Sequence, residues 1–383
     1  MGRTILYYTR PCYLDAALEY IDIAKNFFDI HVVIQISPAE LKSNIFNIDA
    51  DLSNYKSMIP LKSVIKDWKL EFLDQYFYKC KSVNFLKFNG GPKDLLLTSF
   101  HFSGFIHTLK PDHLHFDDFT GKQLLILPIL YKFRKKVILN IHDPKAHTGE
   151  GSLSKKLIQK VLYNLPKKIV VFSKFSQNLL TKKLNKNISI FLLRLLPYTV
   201  FKNFGLLEKS DRTLISFVGR LSPYKGIDIF IDSIAKVLET FPQQKFLIAG
   251  KSLFGYKMDT QKIELLKTNL TVVDKHLSNA EIVSYIMQSK AIICPYLDAT
   301  QSGVVMTAFA LGCPVIVSDV GGLPEYILNE NVGQVSKAES HSFSQSIIHL
   351  LEKNFSDAQE SNVMNDFANE AKKNAEVMKR LYS

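Results

Sequence analysis

The sequence predicts an α/β protein made of two doubly wound, Rossmann-like parallel-sheet domains. Short apolar runs of strand length alternate with amphipathic runs of helix length in both halves of the chain, which is typical of parallel strands joined by right-handed crossovers. A length of 383 residues also suits two domains better than one. We therefore expect one domain over residues 1–200, a second over 201–355, and a helix over 356–383.

The amino-terminal half begins with a βαβ unit. We predict a strand from Thr4 to Tyr8, a helix from about Tyr13 to Phe28 and a second strand from Ile30 to Ile36. Residues 40–80 are predicted to include one or two helices. The later strands of this half are predicted at 112–116, 136–141, 169–173 and 188–193.

The carboxyl-terminal half alternates more regularly. A linker with Pro, Gly and Asn is expected over residues 196–210. The predicted strands that follow lie at 214–218 and near 244–249, 270–274, 290–294 and 314–318, with helices between them. This half therefore predicts a second doubly wound sheet.

Charge is unevenly distributed along the chain. The first 200 residues hold 29 Lys and Arg against 16 Asp and Glu, a net charge of +13, whereas the remainder carries −1. Such a basic domain suits a solvated face, nucleic acid or the anionic surface of a membrane. No nucleic-acid motif accompanies the charge, while Phe and Leu are interleaved with it, so we favour a membrane surface and expect no nucleic-acid partner.

The composition also bears on location. The four cysteines, at positions 12, 80, 294 and 313, lack CxxC spacing, which argues against a zinc site or a disulfide framework and suits a reducing cytoplasm. The first residues become polar too soon for a signal peptide, and no run approaches eighteen apolar residues. We expect a cytoplasmic protein, peripheral at the inner face of the cell membrane.

One stretch, from Cys294 to Tyr326, combines a buried strand, a loop of small polar residues and a helix. The strand ends at Pro295, the loop runs over 298–303, and the helix is predicted from Val304 to Leu311. Free backbone N–H groups and the positive end of the helix dipole point into such a loop, so it is suited to bind an anion. A phosphate or diphosphate fits best, although a bare strand–loop–helix unit can equally be plain scaffold.

A second stretch, from Ser216 to Gly226, places two cations at a strand end. Arg220 follows the strand, and a helix is predicted to begin just before Lys225 and Gly226. Open α/β sheets bind ligands at this edge, where Arg offers a planar fork and Lys a mobile charge for phosphate oxygens.

Together these stretches closely resemble the carboxyl-terminal domain of the retaining GT-B glycosyltransferases of group 1 (family four). The resembling segments are GRLSPYKG, IAGK, PYLDATQSG and AFALGCPVIVSDVGGLPE, in that order. The resemblance implies a GT-B fold whose two domains face a central cleft and whose last helix crosses back to the first domain. It also implies transfer of a sugar from a nucleotide-diphosphate-sugar with retention, with no metal or cofactor, in cell-surface polysaccharide biosynthesis.

The resemblance also implies roles for individual residues. His142 follows the predicted strand over 136–141 and would face the donor sugar, with Asp143 beside it, while Arg220 and Lys225 would stabilise the leaving diphosphate. The donor would be bound by Gly219, Lys251, His276, Leu277, Asp298, Thr300, Gln301, Ser302, Gly303, Val304 and Thr307. The acceptor side would include Arg10, Tyr13, His147 and Glu150. A phosphate oxygen of the leaving group would take the proton of the attacking hydroxyl.

One departure from the pattern leaves alternatives open. The family's pair of glutamates, eight positions apart, falls at Ala299 and Thr307, so both carboxylates are missing; Asp298 could partly replace the first. An active transferase extending a saccharide or a lipid-linked saccharide is preferred over a non-catalytic subunit partnering an active transferase, and over a nucleotide-sugar epimerase. Asp117-Asp118, after another predicted strand, could bind a metal but is more typical of helix capping.

Overall fold

The computed structural model describes residues 2–88, 90–118, 127–145, 162–205, 211–253, 255–353 and 358–383. These residues form two compact units. The first unit takes its described residues from Met1–Pro144, Gly151–Leu195 and Ala371–Ser383, and the second from Lys145–Glu150 and Leu196–Glu370.

The first unit is built on an eight-stranded sheet. Its strands are β1 (Thr4–Thr9), β2 (Asp29–Ile36), β3 (Met58–Pro60), β4 (Ser82–Lys87), β5 (His113–Asp117), β6 (Val137–Asn140), β7 (Lys168–Val171) and β8 (Ser189–Leu192). Their order is β3-β4-β2-β1-β5-β6-β7-β8, and every pairing is parallel except that of the edge strand β3 with β4. The central strands are buried on both faces, as parallel strands covered by helices must be.

Helices of very different length accompany this sheet. They are α1 (Leu14–Ala24), α2 (Leu61–Val64), α3 (Asp74–Phe77), α4 (Pro92–Leu109), α5 (Leu127–Lys132) and α6 (Lys174–Thr181). The helix predicted over Tyr13 to Phe28 is shorter at both ends: a 3₁₀ turn over Pro11–Tyr13 precedes α1, and a turn over residues 25–27 follows it. Pro11 occupies the first turn of the 3₁₀ segment, where its missing N–H is not needed.

The second unit is built on a six-stranded, wholly parallel sheet. Its strands are β9 (Leu214–Val218), β10 (Lys245–Gly250), β11 (Leu270–Asp274), β12 (Ser289–Cys294), β13 (Val315–Ser318) and β14 (Gly333–Ser336), in the order β11-β10-β9-β12-β13-β14. The order reverses next to β9, the first strand of the unit. A parallel sheet binds ligands beyond the carboxyl ends of its strands at such a point.

The helices of the second unit are α7 (Ile227–Thr240), α8 (Thr260–Leu265), α9 (Asn279–Met287), α10 (Gly303–Ala310) and α11 (Ser340–Glu352). The last helix, α12 (Ala358–Leu381), contributes residues to both units, with the division after Glu370. The predicted helix start before Lys225 is wrong: Pro223–Lys225 is a 3₁₀ turn, and α7 begins only after Gly226. Gly226 has a φ of +63°, a left-handed conformation that interrupts a right-handed helix.

Candidate functional site

Glycines hold three loops of the second unit together at the carboxyl end of its sheet. A Cβ on Gly250, after β10, would lie 1.7 Å from the carbonyl oxygen of Gly219, and a Cβ on Gly219 would lie 3.3 Å from Val304 Cγ2. Both glycines have positive φ, +155° and +135°. The end of β9 therefore lies directly against the first turn of α10, as the sequence motifs require.

A second close approach joins the turn after β9 to the end of β12. A Cβ on Gly226 would lie 1.9 Å from the carbonyl oxygen of Pro295. A backbone hydrogen bond joins the same two loops: the N–H of Leu297 donates to the carbonyl of Tyr224 at 2.8 Å. The loops that contain Lys225 and Asp298 are thus fixed to each other through their backbones.

Both predicted cations lie in this joined region. Lys225 is only 9% exposed, and its Nζ lies 3.6 Å from the centre of the Tyr296 ring and 5.1 Å from that of Tyr224. Arg220 is exposed, and its Nη2 donates to the hydroxyl of Tyr224 at 3.2 Å. Tyr224 is therefore common to both cations, which places two positive charges close together.

Ser222 lies between the two cations and was not predicted as a site residue. It is 2% exposed and precedes the 3₁₀ turn, but its side chain does not cap that turn. Among the described residues, its buried Oγ has no hydrogen-bond partner. A buried hydroxyl without a partner costs stability, so its position beside two cations suggests a ligand contact. Serine between two cations at a strand end is the signal that could have identified it.

The first turn of α10 adjoins the same region through Tyr296 and Gly219. Ser302 is the N-cap, yet its side chain makes no capping hydrogen bond; its Oγ lies 3.3 Å from the hydroxyl of Tyr296. Gly303 is exposed and Val304 half-buried. The helix start therefore presents directed donors and the positive end of its dipole to an anion.

The residues expected around the missing glutamate pair already have protein partners. Asp298 forms an ion pair with Lys145 at 3.2 Å. Thr307 is 4% exposed, and its hydroxyl donates to the carbonyl of Gly303 at 2.9 Å. The carbonyl of Ala299 packs against Gly321, where a Cβ would lie only 1.6 Å away. Thr300 is buried, and Gln301 is half-buried.

The residues expected to contact the base lie at the ends of two further strands. Lys251 follows β10 and lies 3.8 Å from Asp274, the last residue of β11. The N–H of Lys275 donates to the carbonyl of Gly250 at 2.9 Å, which joins the two strand ends. His276 is exposed and Leu277 is 8% exposed. Lys251, His276 and Leu277 thus lie just beyond the carboxyl ends of β10 and β11. These strands are on one side of β9, and β12, which precedes α10, is on the other.

In the first unit, His142 lies just beyond β6 and is 4% exposed. Its Nε2 is 3.1 Å from Oδ1 of Asp117, and its ring stacks on that of Tyr13 with centroids 4.1 Å apart. Burial favours the neutral ring, but the hydrogen bond to Asp117 and the charges of Asp117, Asp118 and Asp143 outweigh it, so the pKa of His142 is raised above 6.5. The neighbouring carboxylates therefore shift the titration of His142 toward its protonated form.

Asp117 is the residue of this group whose role sequence reasoning missed. It is the last residue of β5 and is 1% exposed. Burial favours its neutral form, but the hydrogen bond and charge of His142, with hydrogen bonds from Asn140 and Thr9, lower the pKa of Asp117 below 3.8. Adjacent parallel strands ending in Asp117 and Asn140 were the available signal.

The acceptor-side candidates are only partly described. Arg10 forms an ion pair with Glu40 at 2.8 Å, and Glu40 also accepts from the hydroxyl of Ser37 at 2.6 Å. Tyr13 covers the His142 ring, as noted above. His147 and Glu150 lie outside the described residues.

Comparison with known proteins gives these features a context. Residues 201–374 match the family model for glycosyl transferases group 1. YtcC of Bacillus subtilis, a protein named as a glycosyltransferase, is 26% identical over 187 residues, which cover 47% of this chain and 44% of that protein. The chain thus spans about half the length of the curated relatives it matches first.

Solved structures share the fold over the full length. Sucrose-phosphate synthase from Thermosynechococcus elongatus has a TM-score of 0.65 at 14% identity, and HepE from Anabaena, in complex with UDP, has 0.62 at 16%; each match covers 99% of both chains. The predicted GT-B, Rossmann-like fold is confirmed. Among the described helices, none combines the length and the apolar character needed to span a bilayer.

Proposed function

We propose that this chain transfers a sugar from a nucleotide-diphosphate-sugar to a saccharide or lipid-linked saccharide, because residues 201–374 match the family model for glycosyl transferases group 1. The observation that carries the proposal is the close approach of the loops after β9 and β12 to the first turn of α10, with Lys225 over Tyr296, Tyr296 beside Ser302 and Gly219 beside Val304. HepE, which shares the fold, has been solved with UDP and with UDP-glucose, so a uridine donor is the first to test.

The chemistry of this site suits the departure of a diphosphate. Negative charge develops on the leaving oxygen as the sugar–phosphate bond breaks, and fixed donors that meet that charge lower the barrier by about 3 kcal/mol each. Arg220 and Lys225 supply cations, Gly303 and Val304 supply backbone N–H groups, and the hydroxyl of Ser222 is a further donor. These groups do the work of a metal ion, so the proposed reaction uses none.

In the first unit, we assign His142 a contact with the donor sugar. Because Asp117 accepts from Nε2, the histidine keeps a proton there and the orientation of its ring is fixed. Retention at the anomeric carbon, with proton transfer to a phosphate oxygen of the leaving group, completes the proposed mechanism. A role in cell-surface polysaccharide biosynthesis follows if the acceptor is lipid-linked.

The test of the phosphate site is a pair of substitutions with a matched control. Arg220→Ala removes the exposed fork, and Lys225→Met removes the charge but keeps the apolar stem that packs on Tyr296. We expect each to lower kcat/KM for the donor by about 100-fold, from the loss of one preorganised donor. Lys236→Ala, an exposed cation on α7, is the control and is expected to leave turnover unchanged. Wild-type turnover in either site variant would contradict the assignment.

The proposal of a lipid-linked acceptor rests on one exposed face of α4 that suits a membrane surface. Leu96, Leu97 and Phe100 are 60%, 53% and 74% exposed, next to the exposed cation Lys93 and within the basic half of the chain. Apolar side chains beside cations suit an anionic bilayer surface. We therefore propose a cytoplasmic protein that docks peripherally on the membrane with this face of α4.

Flotation with liposomes tests the docking surface. We expect Leu97→Ser with Phe100→Ser to lower the affinity for anionic liposomes by about 30-fold or more, and so to reduce recovery, because about 1–3 kcal/mol of binding is lost with each apolar side chain. Leu265→Ser, which removes a still more exposed leucine from α8, is the control and should not change recovery. Equal recovery of wild type with neutral and anionic liposomes would count against docking.

A non-catalytic subunit is the second candidate. It is favoured by the replacement of both expected glutamates and by the engagement of Thr307 with its own helix. A pure preparation that neither hydrolyses nor transfers from any nucleotide-sugar, yet binds an active transferase, would establish this alternative.

A further inference from the structure

A row of buried polar side chains runs through the first unit from Tyr382 to His142. The hydroxyl of Tyr382 lies 2.6 Å from Nδ1 of His115, and Nε2 of His115 lies 2.6 Å from Oδ1 of Asn140. Nδ2 of Asn140 lies 2.6 Å from Oδ1 of Asp117, which His142 also contacts. All five residues are at most 4% exposed.

The amide of Asn140 fixes the direction of these hydrogen bonds. Asp117 is an ionised carboxylate and can only accept, so Asn140 must turn its NH₂ group toward it. The same NH₂ group donates to the hydroxyl of Tyr7 at 3.0 Å. Oδ1 of Asn140 is then left facing His115 and needs a donor, because an unpaired buried carbonyl is costly.

His115 meets that need in only one tautomer. Its Nε2 must carry the proton that Asn140 accepts, and its Nδ1 must then accept from the hydroxyl of Tyr382. Burial lowers the pKa of His115 to about 4, so the ring stays neutral at physiological pH. Each hydrogen bond in the row therefore points toward Asp117.

Tyr382 is itself held in place by the first unit. The carbonyl of Tyr382 lies 3.0 Å from Nε2 of His113, and Lys168 Nζ donates to the neighbouring carbonyl of Leu381 at 2.6 Å. Arg3 donates to the carbonyl of Ser383, also at 2.6 Å. A residue 267 positions away in sequence from His115 is thus placed firmly enough to orient it.

We propose that His115 and Tyr382 are positioning residues for His142: by orienting the amide of Asn140, they set how strongly Asp117 holds the His142 proton. The value of this for catalysis rests on the function proposed above, but the coupling itself does not. Other ionisable groups near the pair include Asp118 and Asp143, which act on His142, Tyr13, which stacks on its ring, and Tyr7, whose hydroxyl donates to Oδ1 of Asp117 at 3.3 Å. His142 in turn acts on Asp15. None of these residues belongs to the row.

The first test observes the row directly, without substrate. In ¹⁵N spectra of the histidine rings, we expect His115 to be neutral between pH 5 and 8, protonated at Nε2 and bare at Nδ1. His142 should be protonated at Nε2 throughout that range. A His115 ring that titrates near 6.5, or that carries its proton on Nδ1, would overturn the proposal.

The second test breaks the row at two places. His115→Phe and Tyr382→Phe each keep an aromatic ring at the position but remove its polar groups. The amide of Asn140 is then less well oriented, so its hydrogen bond to Asp117 is weaker. A carboxylate with fewer donors is more basic, so we expect the pKa of His142 to rise, by about 0.5 to 1 in His115→Phe and by less in Tyr382→Phe.

The controls remove similar groups outside the row. Tyr20→Phe deletes a buried hydroxyl that bonds the carbonyl of Arg194, and His31→Gln deletes a ring that bonds Ser82. Neither should change the titration of His142. An unchanged titration in both row variants would overturn the proposal whether or not the protein transfers sugar. A shifted titration with no transfer in the wild type would support the coupling and contradict the proposed function instead.

Discussion

At the scale of single residues, the chain pairs a buried histidine with a buried carboxylate at the ends of two adjacent strands. His142 and Asp117 each move the pKa of the other toward the ionised pair, against the effect of burial. Such a pair keeps a proton at a known atom, Nε2, over a wide pH range. This is useful for a group that must donate a hydrogen bond to a polar ligand.

The pair predicts a definite pH dependence. Because the pKa of Asp117 is lowered from 3.8 and that of His142 is raised from 6.5, its stabilisation is fully present between those ordinary values. It is lost as the pH falls through the lowered pKa of Asp117, and as the pH rises through the raised pKa of His142.

Asp117→Asn tests this dependence. The substitution leaves His142 buried without its counter-charge, so its pKa should fall below 6.5 and the free energy of unfolding should drop by about 3–5 kcal/mol inside that window. Urea unfolding from pH 3 to 9 measures the loss. Asp112→Asn, at an exposed carboxylate before the same strand, is the control. A loss that does not vary with pH in Asp117→Asn would contradict the account of the pair.

The position of a site residue could be predicted when that residue follows the end of a strand. Its contacts could not be predicted when the partner is distant in the sequence. Arg220 and Lys225 were placed correctly at the end of β9 because glycines and an apolar run mark that end. No local feature of the sequence predicts that Lys225 lies over Tyr296, or that Asp298 pairs with a lysine 153 positions earlier. Tertiary packing decides such contacts.

At the scale of elements, glycines decide how closely the loops approach one another. Gly226 lies in a left-handed conformation with its Cα against the carbonyl of Pro295, so no side chain fits there. Gly226 separates the cation Lys225 from the start of α7 at Ile227. The close approach is therefore part of how the phosphate site is built.

Gly226→Ala is expected to destabilise the second unit. The new Cβ would lie 1.9 Å from Pro295 O at a φ of +63°, which should cost about 1–3 kcal/mol or more and lower the Tm by several degrees. The matched control is Gly104→Ala in α4, where a Cβ meets nothing within 4 Å. It should stabilise by about 0.5–1 kcal/mol. Equal effects of the two substitutions would contradict the packing argument.

Element prediction succeeded where a strand contains a clear run of apolar and β-branched residues. The strands at 214–218 and 270–274 have the predicted bounds. The prediction missed β3 and β14, which have three and four residues and no apolar alternation long enough to stand out. It also missed β4, whose run SVNFLK mixes polar and apolar residues because only its last half is buried.

At the scale of the whole molecule, each unit contributes a different kind of chemistry. The second unit offers positive charge and backbone donors at the strand-order reversal next to β9, and the first offers a buried, proton-holding pair at the end of β5 and β6. The GT-B fold could be predicted because its motifs lie in continuous segments. The link from Tyr382 to His115 could not, because it joins residues from opposite ends of the chain.

The measurement that tests the central claim most directly is the thermal unfolding of the chain with nucleoside diphosphates. We predict that UDP, GDP or ADP raises the Tm by a few degrees, since about 2.7 kcal/mol is gained at a ligand concentration 100 times Kd. The matching nucleoside should have little effect, and Arg220→Ala should remove most of the shift. A shift of equal size with the bare nucleoside, or one that survives Arg220→Ala together with Lys225→Met, would contradict a diphosphate site at the start of α10.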